Sequence, residues 1–430
     1  MNMARMAFRN VWRYRRRSLI TAIAIGLGVL FTIMIDAMLF GAERESAQNI
    51  RDYETGDVKV FAPGYFAERQ FLPFEFFLET HDRSLLEEAF SQSSVDAAPR
   101  TVASAELYFS EDFFKVAGSA TVKLHAIEPV KEAAVFRTPH AIESGRWLVP
   151  GDTGIVVGSW LAEDIGAKVG YTVSVELKGR GGFYQTFDAE IVGIALTDNP
   201  YVNRSAVYMD LSYADELLAL DGAVTEYAVV FRGGGKPAER KGQLAAEIAE
   251  AFPREASGSA GLARSAAPEI YSWEEVESDA VLLTKTKSGG SKVYLFFMFI
   301  IAAVGISNTM LMAVMERKNE IGMLRSLGYG KASIRWLFLV EGFAIGLIGT
   351  AAGTALGSIV VAFMVQYGLD FSFMLREMDA GYRITGVMRS AWHPEGMITA
   401  IVGALAISSV VAWFPSGRIL KSEVADILRS

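Results

Sequence analysis

The sequence predicts a membrane protein of four transmembrane helices, with a large α+β extracytoplasmic domain set between the first and the second. Three observations predict it. Of the 430 residues, 51% are hydrophobic and 21% are charged, whereas a soluble chain carries about a quarter charged residues. The charge is also segregated: residues 43–285 hold 39 acidic and 22 basic side chains, and the remainder holds 10 acidic and 19 basic. Finally, four apolar stretches are long enough to cross about 30 Å of hydrocarbon, which takes roughly 20 helical residues. An acidic body between basic, apolar ends excludes a nucleic-acid binder, which needs a basic stripe on a folded surface.

Taken in order, residues 1–17 put Met3, Met6, Ala7 and Val11 near one helical face and Arg5, Arg9 and Arg13 elsewhere. That suits an amphipathic helix lying on the inner surface of the membrane. The first span, 18–42, has its apolar run from Leu19 to Phe40. The run exceeds the roughly 7–15 residues of a signal-peptide core and no A-x-A site follows, so it reads as an uncleaved anchor. The insert, 43–290, alternates. Gly56–Ala62 reads as a strand, Asp82–Gln92 as a helix and Thr101–Ser110 as a strand. Thr121–Asp210 is mostly β, with a Gly-rich turn at Lys178–Gly182, and Ser212–Leu220 is a short helix with Ser212 as its cap. Thr225–Phe231, Ala238–Phe252 and Glu269–Trp273 then repeat a β–α–β order. The insert therefore reads as one α+β module made from both its ends, about 43–116 and 224–285, with a β-rich subdomain at about 117–223. Ser257–Pro268 reads as a loop. Span two follows at 291–315, a cytoplasmic segment at 316–335, span three at 336–366, an outer loop at 367–396, span four at 397–414 and a C-terminal helix at 415–430.

Orientation follows from the cations. Arg5, Arg9, Arg13, Arg15, Arg16 and Arg17 precede span one; Arg317, Lys318, Arg325, Lys331 and Arg335 lie between spans two and three; Arg418, Lys421 and Arg429 lie in the tail. The positive-inside rule puts all three groups, and both termini, in the cytoplasm and the large insert outside.

The chain is not expected to be an enzyme. It has no cysteine, hence no disulfide, thiolate nucleophile or Cys-based zinc site. Its four histidines, His81, His125, His140 and His393, are scattered without metal-ligand spacing. GGGKP at 233–237 and GYGKA at 328–332 fail the spacing of a phosphate-binding P-loop. Energy must come from a partner, and no cofactor or metal is expected in this chain.

The segment Met315–Gly342, MERKNEIGMLRSLGYGKASIRWLFLVEG, reads as a short interfacial helix bounded by Gly328 and Gly330. Ile321, Met323, Leu324 and Leu327 offer an apolar face, and Glu316, Arg317, Glu320 and Arg325 offer charge. It is either a charged connector at the headgroups or a docking helix for a cytoplasmic motor. ERKNEIGMLRSLG, followed by EGFAIGLIGTAAGTALG in span three, resembles the ABC-transporter permeases of the MacB/FtsX/LolC–LolE superfamily. The N-terminal AFRNVWRYRRRSLITAIAIGLGV and the C-terminal FPSGRILKSEVADILRS are similar to the same family, although Gly417–Ile419 and Glu423 depart from its usual ending.

The resemblance, most like the LolC/LolE permeases, implies a paired permease, same or homologous, served by two cytoplasmic ATPases that bind ATP and Mg. It implies a porter module and an inserted sabre module in the outer domain, and work by mechanotransmission, in which closure of the spans moves the outer domains. Glu316, Arg317, Glu320, Gly322, Arg325 and Gly328 would form the ATPase-coupling segment, and Val424, Ile427 and Leu428 would lie against the same ATPase. The implied location is a bacterial inner membrane.

Other features have two readings each. Gly342, Gly346, Gly349, Gly353 and Gly357 form a small-residue face, for packing within one subunit or between two. Asp36 near the outer end of span one is either simply exposed or functional. Met34, Met38, Phe40, Phe296, Phe297 and Phe299 are ordinary lipid-facing residues or the lining of a cleft for acyl chains. Phe71, Phe74, Phe76 and Phe77 are core, or an aromatic loop that docks a carrier or substrate. Lipoprotein release, by extraction from the inner membrane for transfer to a periplasmic carrier, is the preferred function. MacB-like efflux of peptides or macrolides comes second, and FtsX-like control of cell-wall hydrolases, whose outer domains are much smaller, comes third.

Overall fold

The computed structural model describes residues 12–13, 15–112, 115–233, 237–252, 267–283, scattered helical positions from 286 to 316, 318–371, 384 and 386–419. The chain divides into two compact units: Met1–Arg44 with Leu283–Phe371 and Val387–Ser430, and Glu45–Leu282 with Ser372–Gly386. In chain order the longer helices are α1 (Arg15–Ile50), α2 (Thr80–Gln92), α3 (Pro129–Val135), α4 (Leu211–Leu218), α5 (Pro237–Ala251), α6 (Lys318–Ser326), α7 (Lys331–Tyr367) and α8 (Pro394–Ile419).

Among the described residues, three helices are long and apolar enough to cross a bilayer: Ser18–Thr55, Lys331–Tyr367 and Pro394–Trp413. The expected second span, 291–315, is described only at intervals of one to three residues, and each described position is helical. Two spans are longer than the sequence suggested. α1 does not stop at residue 42 but continues to Ile50 and through a π-helical turn, Arg51–Thr55. The stretch after 42 is polar, yet it holds no helix breaker before Gly56, which ends the turn at φ 70°. α7 likewise begins at Lys331, so the last residues of the predicted cytoplasmic segment are helix.

The core of the first unit sets Ala22, Ile25, Val29, Ile33 and Ala37, one face of α1, against Ala344, Ile345 and Val361 of α7 and Ala400, Ala404 and Ala412 of α8. The glycine face of α7 lies entirely inside this bundle. A side chain at Gly342 would run into Ala412 of α8, and one at Gly346 into the Ser408 side chain. One at Gly349 would meet the Ala22 carbonyl at 2.6 Å, and one at Gly353 would strike the Gly26 backbone. Of the two readings of the stripe, packing within one subunit is the one observed.

The second unit is built on a ten-stranded sheet. Four strands form one antiparallel end in the order β10 (Glu269–Ser272), β1 (Val58–Phe61), β9 (Glu226–Phe231) and β2 (Val95–Asp112). From β2 the sheet goes on through β3 (Lys115–Ile127), β8 (Ala206–Asp210), β5 (Ile155–Gly158) and β7 (Tyr184–Ala195). β6 (Thr172–Lys178) pairs with both β7 and β2, which closes β2, β3, β8, β5, β7 and β6 into a barrel, and the tenth strand, β4 (Ile142–Gly145), pairs with β7 outside that ring. β2 serves both parts: Val95–Arg100 pairs with β9 and Ala105–Tyr108 with β6. One apolar core, including Val60, Leu86, Leu107, Leu124, Val175, Val207 and Val229, runs beneath both.

Three local expectations are corrected. The cap of α4 is Asp210, whose carboxylate accepts from the Ser212 and Tyr213 amides, rather than Ser212. The mostly β stretch also contains α3 and two six-residue helices, Ser159–Asp164 and Pro200–Ser205. β2 starts at Val95, six residues before the predicted strand.

Candidate functional site

The predicted coupling segment is a helix–turn–helix made by α6 and α7. Ile321, Ile334 and Phe338 are buried together with Leu324 against them, which folds α6 onto the start of α7. The turn is made by Gly328 at φ 88°, a left-handed position suited to glycine, with the Tyr329 amide donating to the Leu324 carbonyl. The predicted apolar face therefore splits. Ile321, Leu324 and Gly322 face inward, whereas Met323 and Leu327 are 61% and 71% exposed, and Tyr329 adds a partly exposed ring that the sequence reading missed. Glu320 lies 3.7 Å from Arg13, an exposed pair that ties the segment before span one to α6. Such a pair is worth about 0–1 kcal/mol and leaves Glu320 available to a partner. Glu316 is helical and exposed, and Arg325 is half-buried. Arg317, Val424, Ile427 and Leu428 lie outside the described residues.

The second constellation holds the end of α1. The π turn Arg51–Thr55 sits wholly within the second unit, and side chains from several elements converge on it. Asn49 donates to the Asp198 carbonyl at 3.0 Å, and Asn199 donates to the Glu54 carboxylate at 2.6 Å. Arg137 contacts Asp52 at 3.2 Å, and its amide donates to the Asp52 carbonyl. Arg51 donates to Asp57, whose other oxygen accepts the Phe231 amide of β9 at 3.0 Å. Arg100 of β2 reaches the Glu54 carbonyl at 3.2 Å.

Arg100 is itself fixed. It makes a two-pronged ion pair with Glu132 of α3, both side chains fully buried, and its guanidinium lies 3.5 Å from the centre of the Phe136 ring. Beside it, Lys59 and Glu226 form a second buried pair at 2.6 Å. Burial lowers the Lys59 ammonium, against the pull of Glu226. His125 stacks on Tyr208, and burial, then Arg100, Lys123 and Lys59, holds its imidazole well below the usual pKa. Burial also pushes the Tyr208 phenol up to about 12. No periodicity announces this network, because its members come from five separate stretches of chain.

Among the predicted outer-end residues, Asp36 is not simply exposed: its carboxylate lies 2.8 Å from His393 Nδ1. Phe40 stacks on the same imidazole at 4.2 Å, so this ring is engaged within the unit. The Ala391 amide donates to the Ala37 carbonyl, and Gly41 lies against the backbone of Arg389 and Ser390. Together these contacts fasten the start of α8 to α1. Met34 and Met38 are half-buried, Phe296 and Phe297 are exposed, and Phe299 lies outside the described residues. In the aromatic loop, Phe74, Phe76 and Phe77 pack on the core of the second unit, with Phe74 edge-on to Phe77. Only Phe71, 73% exposed, is presented to solvent. The sequence reading passed over a more exposed aromatic pair, Phe183 and Tyr184, 76% and 71% exposed beside the Gly-rich β6–β7 turn. It also passed over Glu341, a carboxylate buried within α7.

A family described as MacB-like periplasmic core domain matches residues 18–251, and one described as FtsX-like permease C-terminal matches residues 292–424. An uncharacterized ABC transporter permease of Methanocaldococcus jannaschii is 22% identical over 437 residues, 98% of this chain and 96% of that protein. The lipoprotein-releasing system transmembrane protein LolC of Neisseria meningitidis serogroup B is 25% identical over 333 residues, 72% of this chain and 73% of that protein. The macrolide export ATP-binding/permease protein MacB 1/2 of Paracoccus denitrificans is 22% identical over 443 residues, 99% of this chain but 58% of that protein. Among solved structures, the periplasmic region of MacB from Actinobacillus actinomycetemcomitans aligns at 13% identity with a TM-score of 0.35, covering 55% of this chain and 97% of that one.

Proposed function

The chain belongs to the ABC-transporter permeases of the MacB/FtsX/LolC–LolE superfamily, and from that premise we propose that it is the permease of a lipoprotein-releasing system in a bacterial inner membrane. The observation that carries this reading is the likeness to the lipoprotein-releasing LolC of Neisseria meningitidis, which extends over nearly three quarters of both proteins. MacB-like export is the second reading, favoured by an alignment to the macrolide exporter that spans 99% of this chain.

In the proposed mechanism a cytoplasmic ATPase binds ATP and Mg and supplies the work. It docks on α6 through Met323, Leu327 and Tyr329, with Glu316, Arg317, Glu320, Gly322, Arg325 and Gly328 completing the coupling segment and Val424, Ile427 and Leu428 beneath it. Apolar side chains left exposed on a charged helix suit a groove of this kind. Closure of the spans displaces α1. Because α1 is one continuous helix into the π turn, and that turn is held by Arg100, Arg137 and Asn199, the outer domain follows it. Phe71, Phe183 and Tyr184 are the aromatic side chains offered to a periplasmic carrier, and the outer ends of spans one and two are offered to acyl chains, whose burial is worth about 0.8 kcal/mol per CH₂.

The test is depletion of the protein followed by separation of the two membranes and measurement of lipoproteins in each. Outer-membrane lipoproteins should accumulate in the inner membrane and return to place on complementation with the wild type. Glu316→Ala/Glu320→Lys, present at normal level in the membrane, should fail to complement. Unchanged sorting on depletion overturns the lipoprotein reading and leaves export to be tested. Full complementation by the double variant overturns the docking assignment.

A further inference from the structure

A cavity of about 390 Å³ opens in the second unit, lined by residues of α2, α3 and α4. Its apolar wall is made by Pro129 and Val130 at the start of α3, Pro150 in the loop between β4 and β5, and Leu211 at the start of α4. Two of these are proline rings with fixed backbone angles, so part of the wall is stiff before any ligand arrives. Val130, 70% exposed, stands at the mouth. A space of this size suits one extended side chain or a small organic molecule.

The polar lining decides which kind. Arg83, Glu128, Asp210 and Asp215 contribute three carboxylates against one guanidinium. The guanidinium is already spent: Nε donates to the Tyr227 hydroxyl, Nη1 to the Gly222 carbonyl at 2.7 Å and Nη2 to Glu128 at 3.0 Å. Glu128 is spent as well, since its second oxygen lies 3.0 Å from Lys131. The two aspartates are not. Asp210 Oδ1 accepts from the Ser212 and Tyr213 amides and the Ser212 hydroxyl, and Asp215 Oδ1 accepts the Gly222 amide at 2.9 Å. Among the described residues neither Oδ2 has a hydrogen-bond or ion-pair partner, although Asp210 is only 3% exposed.

A carboxylate oxygen withdrawn from water in this way is satisfied best by a positively charged donor. Among the described residues no three acidic or histidine side chains are grouped to hold a metal ion, which favours an organic cation. Beside an apolar wall, that is a nitrogen cation on an alkyl stem: the stem lies along Val130, Pro150 and Leu211 while the head donates to the aspartates.

We propose that this cavity binds an alkyl ammonium or guanidinium group, carried by a lysine or arginine side chain of a polypeptide or by a small free amine. The site lies within the second unit and needs neither the cargo assigned above nor the ATPase, so it stands or falls apart from the lipoprotein reading.

The test is titration of the full-length protein in detergent, read by saturation-transfer difference NMR. The cationic probes are Gly-Lys-Gly, blocked at both ends, and pentylamine; their neutral counterparts are the blocked norleucine peptide and pentanol. At least one cation should bind at least about tenfold more tightly than its counterpart, with a preference that shrinks as salt is raised. Preference for the peptide alone assigns the pocket to a polypeptide side chain, and for pentylamine alone to a free amine. Asp210→Asn/Asp215→Asn keeps the side-chain oxygens that hold the Ser212, Tyr213 and Gly222 amides, so the fold stands, yet it should lose the preference. Glu216→Gln, a loss of charge at an exposed position of α4 outside the cavity, should keep it. Val130→Lys sets an internal ammonium at the mouth and should weaken binding of the cations about tenfold while leaving both aspartates in place. Equal binding of cations and neutral counterparts, no saturable binding of either cation, a preference that survives in the double aspartate variant, or one lost in Glu216→Gln would each overturn the proposal. None of these results bears on lipoprotein sorting.

Discussion

Arg100 shows how much one side chain organises. It is among the largest fully buried side chains in the second unit, and it joins β2 to α3 through Glu132 and to the π turn through the Glu54 carbonyl. Breaking a buried pair by removing one partner costs about 3–5 kcal/mol, because the surviving charge stays buried. Glu132→Gln should therefore lower the melting temperature of the second unit by roughly 10 °C, while Arg100→Met/Glu132→Leu together should recover most of the loss. Differential scanning fluorimetry of the purified protein reads both. His125 gives the pH dependence. The folded state keeps it neutral, whereas the unfolded chain takes up a proton near pH 6.5. Its contribution is thus complete above about pH 6.5 and declines as pH falls, by up to about 1.4 kcal/mol per pH unit. His125→Phe should flatten the melting temperature between pH 6.5 and 5, and an unchanged slope would refute the assignment. Neither residue was legible in the sequence. A buried Arg or His has no periodic signature, and its partners come from distant strands.

At the scale of elements, α7 was the most readable part of the chain, because a glycine at every third or fourth position has one physical use, close approach of backbones. Its neighbours were not readable: Gly342 and Gly346 face α8, while Gly349 and Gly353 face α1. Gly353→Leu should force α1 and α7 apart and destabilise the bundle by about 1–3 kcal/mol or more, seen as faster trypsin cleavage in detergent. The same change at Gly328, where nothing lies within 4 Å, meets no neighbour and strains only the turn. The strands were also legible where apolar alternation was strong, as in β6, whose burial alternates along its length. The end of α1 was missed for the opposite reason. Residues 43–55 are polar enough to read as a departure from helix, yet their helicity is kept by tertiary partners rather than by hydrophobic pattern. The predicted apolar face of α6 failed similarly: Ile321 and Leu327 are six residues apart, about 120° around the helix, and packing against α7 buries only the first.

For the whole molecule, composition alone separated an acidic middle region from basic, apolar flanks, and the family motifs lie in those flanks. What composition could not express is how a long helix ends inside a domain, since that depends on Asn49, Arg51, Arg137 and Asn199 meeting around the π turn. It follows that sequence reasoning marked out the helix and turn of α6 but not the side-chain cluster that holds the end of α1.

β2 has a role that reaches beyond pairing. It is one stave of the six-stranded barrel and, through its first residues, the last strand of the neighbouring four-stranded sheet. The barrel is therefore not a bead on a string. A fragment cut at its apparent sequence borders would lack a stave and expose two open edges, the usual invitation to aggregate. For evolution the same arrangement is a constraint on recombination: the barrel could be exchanged between relatives only together with the strand it shares, so new specificities are reached more readily by changing its loops than by replacing it.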